Sequence, residues 1–180
     1  MTTRRVWDPA VRVLHWALVT AFALGWVTTM TPRLGAWHQS AGYVALAMVA
    51  ARIAWGFVGT RYARFAQFVR GPQFTFGYAR LFVSGREPRY LGHNPLGACM
   101  VIALLGCFVA LTLTGWLYTT DRFWGDESVE RVHLAIAWTT LALAALHVAG
   151  VTLASFRHRE NLVAAMFTGM KRDADEADIA

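Results

Sequence analysis

The chain has 180 residues, 56% hydrophobic and only 16% charged, a balance too apolar for an ordinary soluble domain and normal for a small integral membrane protein. Its formal charge of +6 comes from sixteen arginines and one lysine against eleven acids; the arginines cluster outside the apolar runs, so they read as membrane-surface charge and exclude a nucleic-acid interface. Cys99 and Cys107 share one apolar run, where eight residues of helix hold them roughly 12 Å apart, which excludes an internal disulfide and leaves two small buried apolar side chains.

In chain order, four runs are long enough to cross a bilayer, which takes ~20 residues of helix. The first, 13–30, is uncharged between Arg12 and Arg33. Arg4-Arg5 precede it, but no clear Ala-x-Ala site is present and the run is long enough to span, so it reads as a retained span and not a cleaved leader. The second, 37–59, is broken only by Arg52. In the 60–94 segment, Arg61, Arg64, Gln67 and Arg70 recur every three residues with Tyr62, Phe65, Phe68 and Val69 between them. That spacing predicts a short helix on the membrane surface, ended by Gly71-Pro72. Asn94-Pro95 open the third run, 95–120, with Asn as cap and Pro first inside. The fourth, 132–156, is closed by Arg157-His158-Arg159. Residues 161–180 form a tail whose end, KRDADEADIA (171–180), reads as disordered and acidic. There is no strand-like alternation, no internal repeat and no second domain. The expected fold is all-α: an integral membrane four-helix bundle over 1–160 with a short interfacial helix between spans two and three.

Orientation follows from the arginines. Arg4, Arg5 and Arg12 precede the first run; Arg61, Arg64, Arg70, Arg80, Arg86 and Arg89 lie in the 60–94 segment; Arg157, Arg159, Lys171 and Arg172 lie in the tail. The other two connections carry only Arg33, and Arg122 with Arg131 among four acids. The basic side is cytoplasmic, so both termini face in and the interfacial helix is cytoplasmic. Trp37, Trp116, Tyr118 and Trp124 then fall near the outer interface, and Trp7, Trp16 and Trp55 near the inner one.

Depth sorts the histidines. His133 and His147 are fourteen residues apart on one run, which is almost four helical turns: both rings point to nearly the same side, about 21 Å apart along the axis. One metal ion cannot bridge that distance, so as ligands they serve two centres. His38 enters the second run at the depth of His133, and His15 lies at the depth of His147. Two facing imidazoles at one level suit a haem, which brings its own four equatorial nitrogens; zinc takes four protein ligands in a structural site, and each level offers two. Neutral imidazole also adds no net charge in lipid. No Cys-x-x-Cys-His occurs, which excludes covalent c-type attachment. The competing reading is a histidine-lined metal or proton pathway without haem.

Arg52 stands fourteen residues after His38 and so reaches the inner level, where it either pairs with haem propionates or snorkels to the cytoplasmic surface. Gly42, one turn after His38, leaves space for a macrocycle or serves close helix packing. His93 and His158 lie outside the runs and read as interfacial side chains, with proton handling beside a quinone as the other reading. The acidic connection DRFWGDESVER (121–131) is either a solvated loop or a dock for a positively charged partner.

Three stretches carry a family resemblance: VWDPAVRVLHW (6–16), WHQSAGYVALAMVAARIAWG (37–56) and the H-x13-H of His133 and His147, with PRYLGHNPLG (88–97) at the entry to a third helix that bears no ligand. Over about residues 6–160 the chain resembles the bacterial cytochrome b561 family of four-helix di-haem b-type cytochromes, which is related to the b-type subunit of nickel-iron hydrogenases. The resemblance implies two non-covalent haem b groups, His15 and His147 holding the cytoplasmic one and His38 and His133 the periplasmic one. It implies electron transfer across the bacterial inner membrane between the quinone pool, with ubiquinone as a candidate substrate, and a periplasmic partner: a c-type cytochrome, an iron–sulfur subunit or superoxide. As an enzyme it would be a quinone oxidoreductase. The alternative is a haem-bearing membrane anchor of a larger oxidoreductase.

Overall fold

In a computed structural model that describes residues 2–175 and 178–179, the elements run β1 (Thr3–Arg5), α1 (Pro9–Thr29), α2 (Gly35–Val58), α3 (Phe65–Phe68), α4 (Pro72–Val83), α5 (Pro95–Tyr118), α6 (Glu127–Arg157), α7 (Leu162–Thr168) and β2 (Met170–Arg172). The chain is an all-α membrane helical protein: α1, α2, α5 and α6 are each long and apolar enough to cross a bilayer. Their exposed side chains include Val13, Leu24, Val44, Ile102, Leu113, Leu134 and Leu146, the surface a hydrocarbon solvent requires.

Polar residues set the helix starts. The Val11 N–H donates to Asp8 Oδ1 (3.0 Å), with Pro9 first in α1; the Gly97 N–H donates to Asn94 Oδ1 (2.7 Å), with Pro95 first in α5; the Ser128 and Val129 N–H groups donate to Asp126 Oδ1 (2.8 and 3.1 Å) at the head of α6. The apolar run marks the lipid-embedded part of each helix and the cap marks its true end, which is why α1 begins at Pro9 and α6 at Glu127, ahead of the apolar runs themselves.

The segment after α2 departs from the single surface helix expected at 61–70. A 3-10 turn (Arg61–Ala63) and the four-residue α3 are separated at Arg64, whose backbone is extended (φ −75°, ψ 133°), and the regular helix is α4, which starts where the sequence reading had placed a stop. Gly71 is its N-cap and Pro72 its first residue. Proline lacks an N–H that the first turn does not need and its φ is already helical, so Gly-Pro opens this helix.

The chain divides into two compact units. The first comprises Met1–Arg12, Trp55–Ile102 and Ala145–Ala180. Its core is Val6, Trp7, Val11, Tyr62, Ala63, Leu91 and Ala165, with Leu91 fully buried. Asp8 Oδ2 accepts from Thr60 Oγ1 (2.6 Å) and Trp55 Nε1 (3.2 Å). β1 and β2 pair antiparallel, Thr3 opposite Arg172 and Arg5 opposite Met170.

That ribbon belongs to the tail that composition reads as disordered. Residues 171–175 and 178–179 take part in paired contacts here; residues 176, 177 and 180 lie outside the described residues. Cations distant in sequence order the acids. Arg89 bonds both Glu160 oxygens (2.8 and 3.2 Å), Asp178 and the Arg172 carbonyl (2.7 Å); Lys171 pairs with Glu160 (3.3 Å) and donates to the Tyr90 and Leu91 carbonyls (3.1 and 3.0 Å); Arg4 pairs with Asp173 (3.0 Å). Arg89, Glu160, Lys171 and Asp178 are all buried, and burial of charges requires such pairing.

The second unit comprises Val13–Ala54 and Ala103–Ala144. Edge-to-face aromatic pairs knit it, Phe22 with Phe108 (5.6 Å between centroids) and Trp26 with Trp138 (4.8 Å). Small residues Ala21, Ala41 and Ala45 are buried, as close approach of membrane helices demands.

Candidate haem site

Two of the candidate ligands meet inside the second unit. His38 stands in the first turn of α2 and His133 in the second turn of α6, and their ring centroids are 6.3 Å apart with planes at 74°. Each ring is held by the same device on a neighbouring helix. His38 Nδ1 lies 3.0 Å from the Gly25 carbonyl oxygen and 3.3 Å from Thr28 Oγ1, both on α1. A carbonyl only accepts, so the Nδ1 carries the proton and Nε2 keeps its lone pair. His133 Nδ1 lies 3.0 Å from Thr114 Oγ1 on α5. Thr114 Oγ1 itself donates to the Ala110 and Leu111 carbonyls (2.8 and 3.1 Å), so it meets His133 as an acceptor and His133 is protonated at Nδ1 as well.

This geometry fits a haem. An imidazole nitrogen bonds a first-row metal at about 2.0 Å. The ring centroid lies about 1.15 Å behind that nitrogen for ring bonds near 1.35 Å. Two imidazoles on opposite faces of one iron therefore need centroids about 6.3 Å apart, the separation observed. Both Nδ1 atoms are occupied, which leaves the two Nε2 atoms as donors. A Cβ built on Gly42, or on Gly25, would meet nothing within 4 Å, so both glycines border open space. A Cβ on Gly115 would stand 3.1 Å from His133 Cε1, so the missing side chain lets that ring lie against α5. Among the described residues no group of three or more His, Cys, Asp or Glu could hold a metal ion.

The remaining candidates are placed as follows. Arg52, on α2 in the second unit, is 6% exposed: its head is packed among protein atoms. His15, on α1 of the second unit, is half-buried and meets Trp16 edge-on (5.0 Å). His147, on α6, is half-buried in the first unit. Gly42 is as described. His93 lies between Trp7 and Phe68 (4.7 and 4.6 Å between centroids) and borders a small cavity with Gln67, Arg70 and Tyr90. His158, just past α6, is held below the ordinary histidine range chiefly by burial; Arg89 and Lys171 push it the same way against Glu87 and Asp178.

Thr28 and Thr114 escaped the reading of the sequence. Threonine is ordinary in an apolar helix, and only the neighbouring helix identifies these two. A faint signal exists at Thr28, which stands three residues after Gly25, whose carbonyl also meets His38.

The family described as prokaryotic cytochrome b561 matches residues 6–169, and its members bind haem b. No curated protein and no solved structure matches the chain.

Proposed function

The chain belongs to the prokaryotic cytochrome b561 family, a membrane b-type cytochrome of electron transfer, and on that premise we propose that it holds two haems and carries electrons across the inner membrane between the quinone pool and a periplasmic redox partner. The observation that carries this reading is the His38–His133 pair, its ring centroids 6.3 Å apart and each Nδ1 engaged by a neighbouring helix, His38 by α1 and His133 by α5. When bound, haem would supply one-electron storage and transfer.

The chain's own residues do the rest. His38 and His133 would hold the outer group, and the depth of His15 and His147 in the sequence assigns those two to the inner one. Arg52, buried on α2, supplies positive charge to the propionates of the inner group. Neutral imidazoles add no net charge in the hydrocarbon, and the exposed apolar faces of α1, α2, α5 and α6 keep the sites in lipid. Arginines before α1, between α2 and α5 and after α6 hold both termini on the cytoplasmic side, with α4 as the interfacial helix. His93, beside a small cavity with the Gln67 amide and the Tyr90 hydroxyl, is placed to pass a proton to or from a quinone oxygen.

The test is transfer in proteoliposomes, with quinol in the bilayer and a membrane-impermeant one-electron acceptor on the outer face. His133→Ala is expected to lower the rate at least about tenfold while the remaining haem is still reduced by quinol. An undiminished rate in that variant contradicts the reading.

A further inference from the structure

We propose that Thr28 and Thr114 are positioning residues of the outer haem, each fixing the tautomer of one ligand histidine and setting how strongly that ligand donates to the iron. The inference rests on the reading of His38 and His133 as a ligand pair.

The two contacts are copies of one arrangement. On α1, Thr28 Oγ1 donates to the Leu24 and Gly25 carbonyls (2.8 and 2.9 Å) and faces His38 Nδ1; on α5, Thr114 Oγ1 donates to the Ala110 and Leu111 carbonyls (2.8 and 3.1 Å) and faces His133 Nδ1. In both, the hydroxyl proton is committed to the helix backbone three and four residues back. The oxygen can then only accept from the ring, so a group that elsewhere plays either part acts as an obligate acceptor here. At His38 the Gly25 carbonyl, three residues before Thr28, shares the same ring nitrogen (3.0 Å). The His38 Nδ1–H thus enters a fork of two oxygens, and either imidazole, flipped to present Nδ1 to the iron, would lose its bond to threonine in a region with no water to replace it.

The second consequence is electronic. A hydrogen bond accepted from Nδ1–H pushes density onto Nε2 and raises its basicity towards metal. More donation favours the ferric state and lowers the reduction potential. Threonine and carbonyl oxygens are neutral and polarise the ring less than a carboxylate does, while bringing no charge into the hydrocarbon. The arrangement also gives a role to α5, the helix that carries no ligand: it supplies the acceptor for His133 and, through Gly115, the room for its ring.

The experiment is a redox titration of the purified full-length protein, with haem content measured alongside, for wild type, Thr28→Val, Thr114→Val and the serine variants at the same positions. Valine keeps the shape and deletes the acceptor; serine keeps the hydroxyl. Each valine variant is expected to shift one midpoint to more positive values, or to lose that one haem, by about a tenfold change in the equilibrium concerned, which is about 59 mV for one electron. The other midpoint stays in place, and serine restores the wild-type value. Two haems with both midpoints unchanged in the valine variants would overturn the proposal, as would serine and valine behaving alike. Failure of the underlying reading looks different: the wild type itself would then carry fewer than two haems.

Discussion

In the proposed site, a ring that binds iron through one nitrogen needs its other nitrogen and its flank settled by the protein. At His133 the nitrogen is settled by Thr114 and the flank by Gly115. Gly115→Ala places a methyl group 3.1 Å from Cε1, tighter than ordinary van der Waals contact, so the ring must tilt off α5 and strain its 3.0 Å bond to Thr114. We expect a cost of about 1–3 kcal/mol and an altered low-spin electron paramagnetic resonance signal from one haem only. A spectrum identical to wild type would show that the ring has slack the geometry denies. His38 and His133, which stand together here, were conspicuous in sequence because a polar ring stands out in an apolar run. Thr28 and Thr114 were not, because their meaning comes from a facing helix. Arg52 was visible as a charge in a span, but not its burial.

Helix ends carry more than punctuation. Asp8 caps α1 through Oδ1 and accepts from Thr60 and Trp55 through Oδ2, tying the start of α1 to the segment that follows α2, all within the first unit. Burial alone would raise this carboxyl, but the bonds from Thr60, Val11 and Trp55 outweigh it and hold it below the ordinary aspartate range. A depressed folded-state value means that the stabilisation is complete above the unfolded value, ~3.9, and is lost as pH falls through the folded value. Asp8→Ala is expected to destabilise by about 2 kcal/mol or more at neutral pH, from the lost cap and two stranded donors, and to blunt the acid-side loss of stability. Thermal melts of both proteins across pH check this; equal stability at neutral pH would contradict it. The four spans were legible from apolar length. Gly71-Pro72 was misplaced because the pair serves equally as a helix stop and a helix start, and only the residues beyond decide: Pro72–Val83 continue as a helix.

Across the molecule, local pattern sufficed wherever lipid is the solvent, because a spanning segment must satisfy its backbone internally and show apolar side chains outward. It says less at the tail. Asp173, Asp175 and Asp178 look like a solvated acidic end until Arg4, Arg89 and Arg172 are brought beside them, and Arg89 lies far away in sequence. Fold class followed from composition, while the ionic closure of the first unit depended on long-range pairing.

The central claim is that two histidine pairs each hold one haem. Haem per polypeptide, from the pyridine haemochrome spectrum and quantitative amino-acid analysis, tests it on wild type, His133→Ala and His147→Ala. The account predicts two haem b in the wild type and one in each variant, the missing haem differing between them. Fewer than two in the wild type, or the same haem lost from both variants, would contradict it.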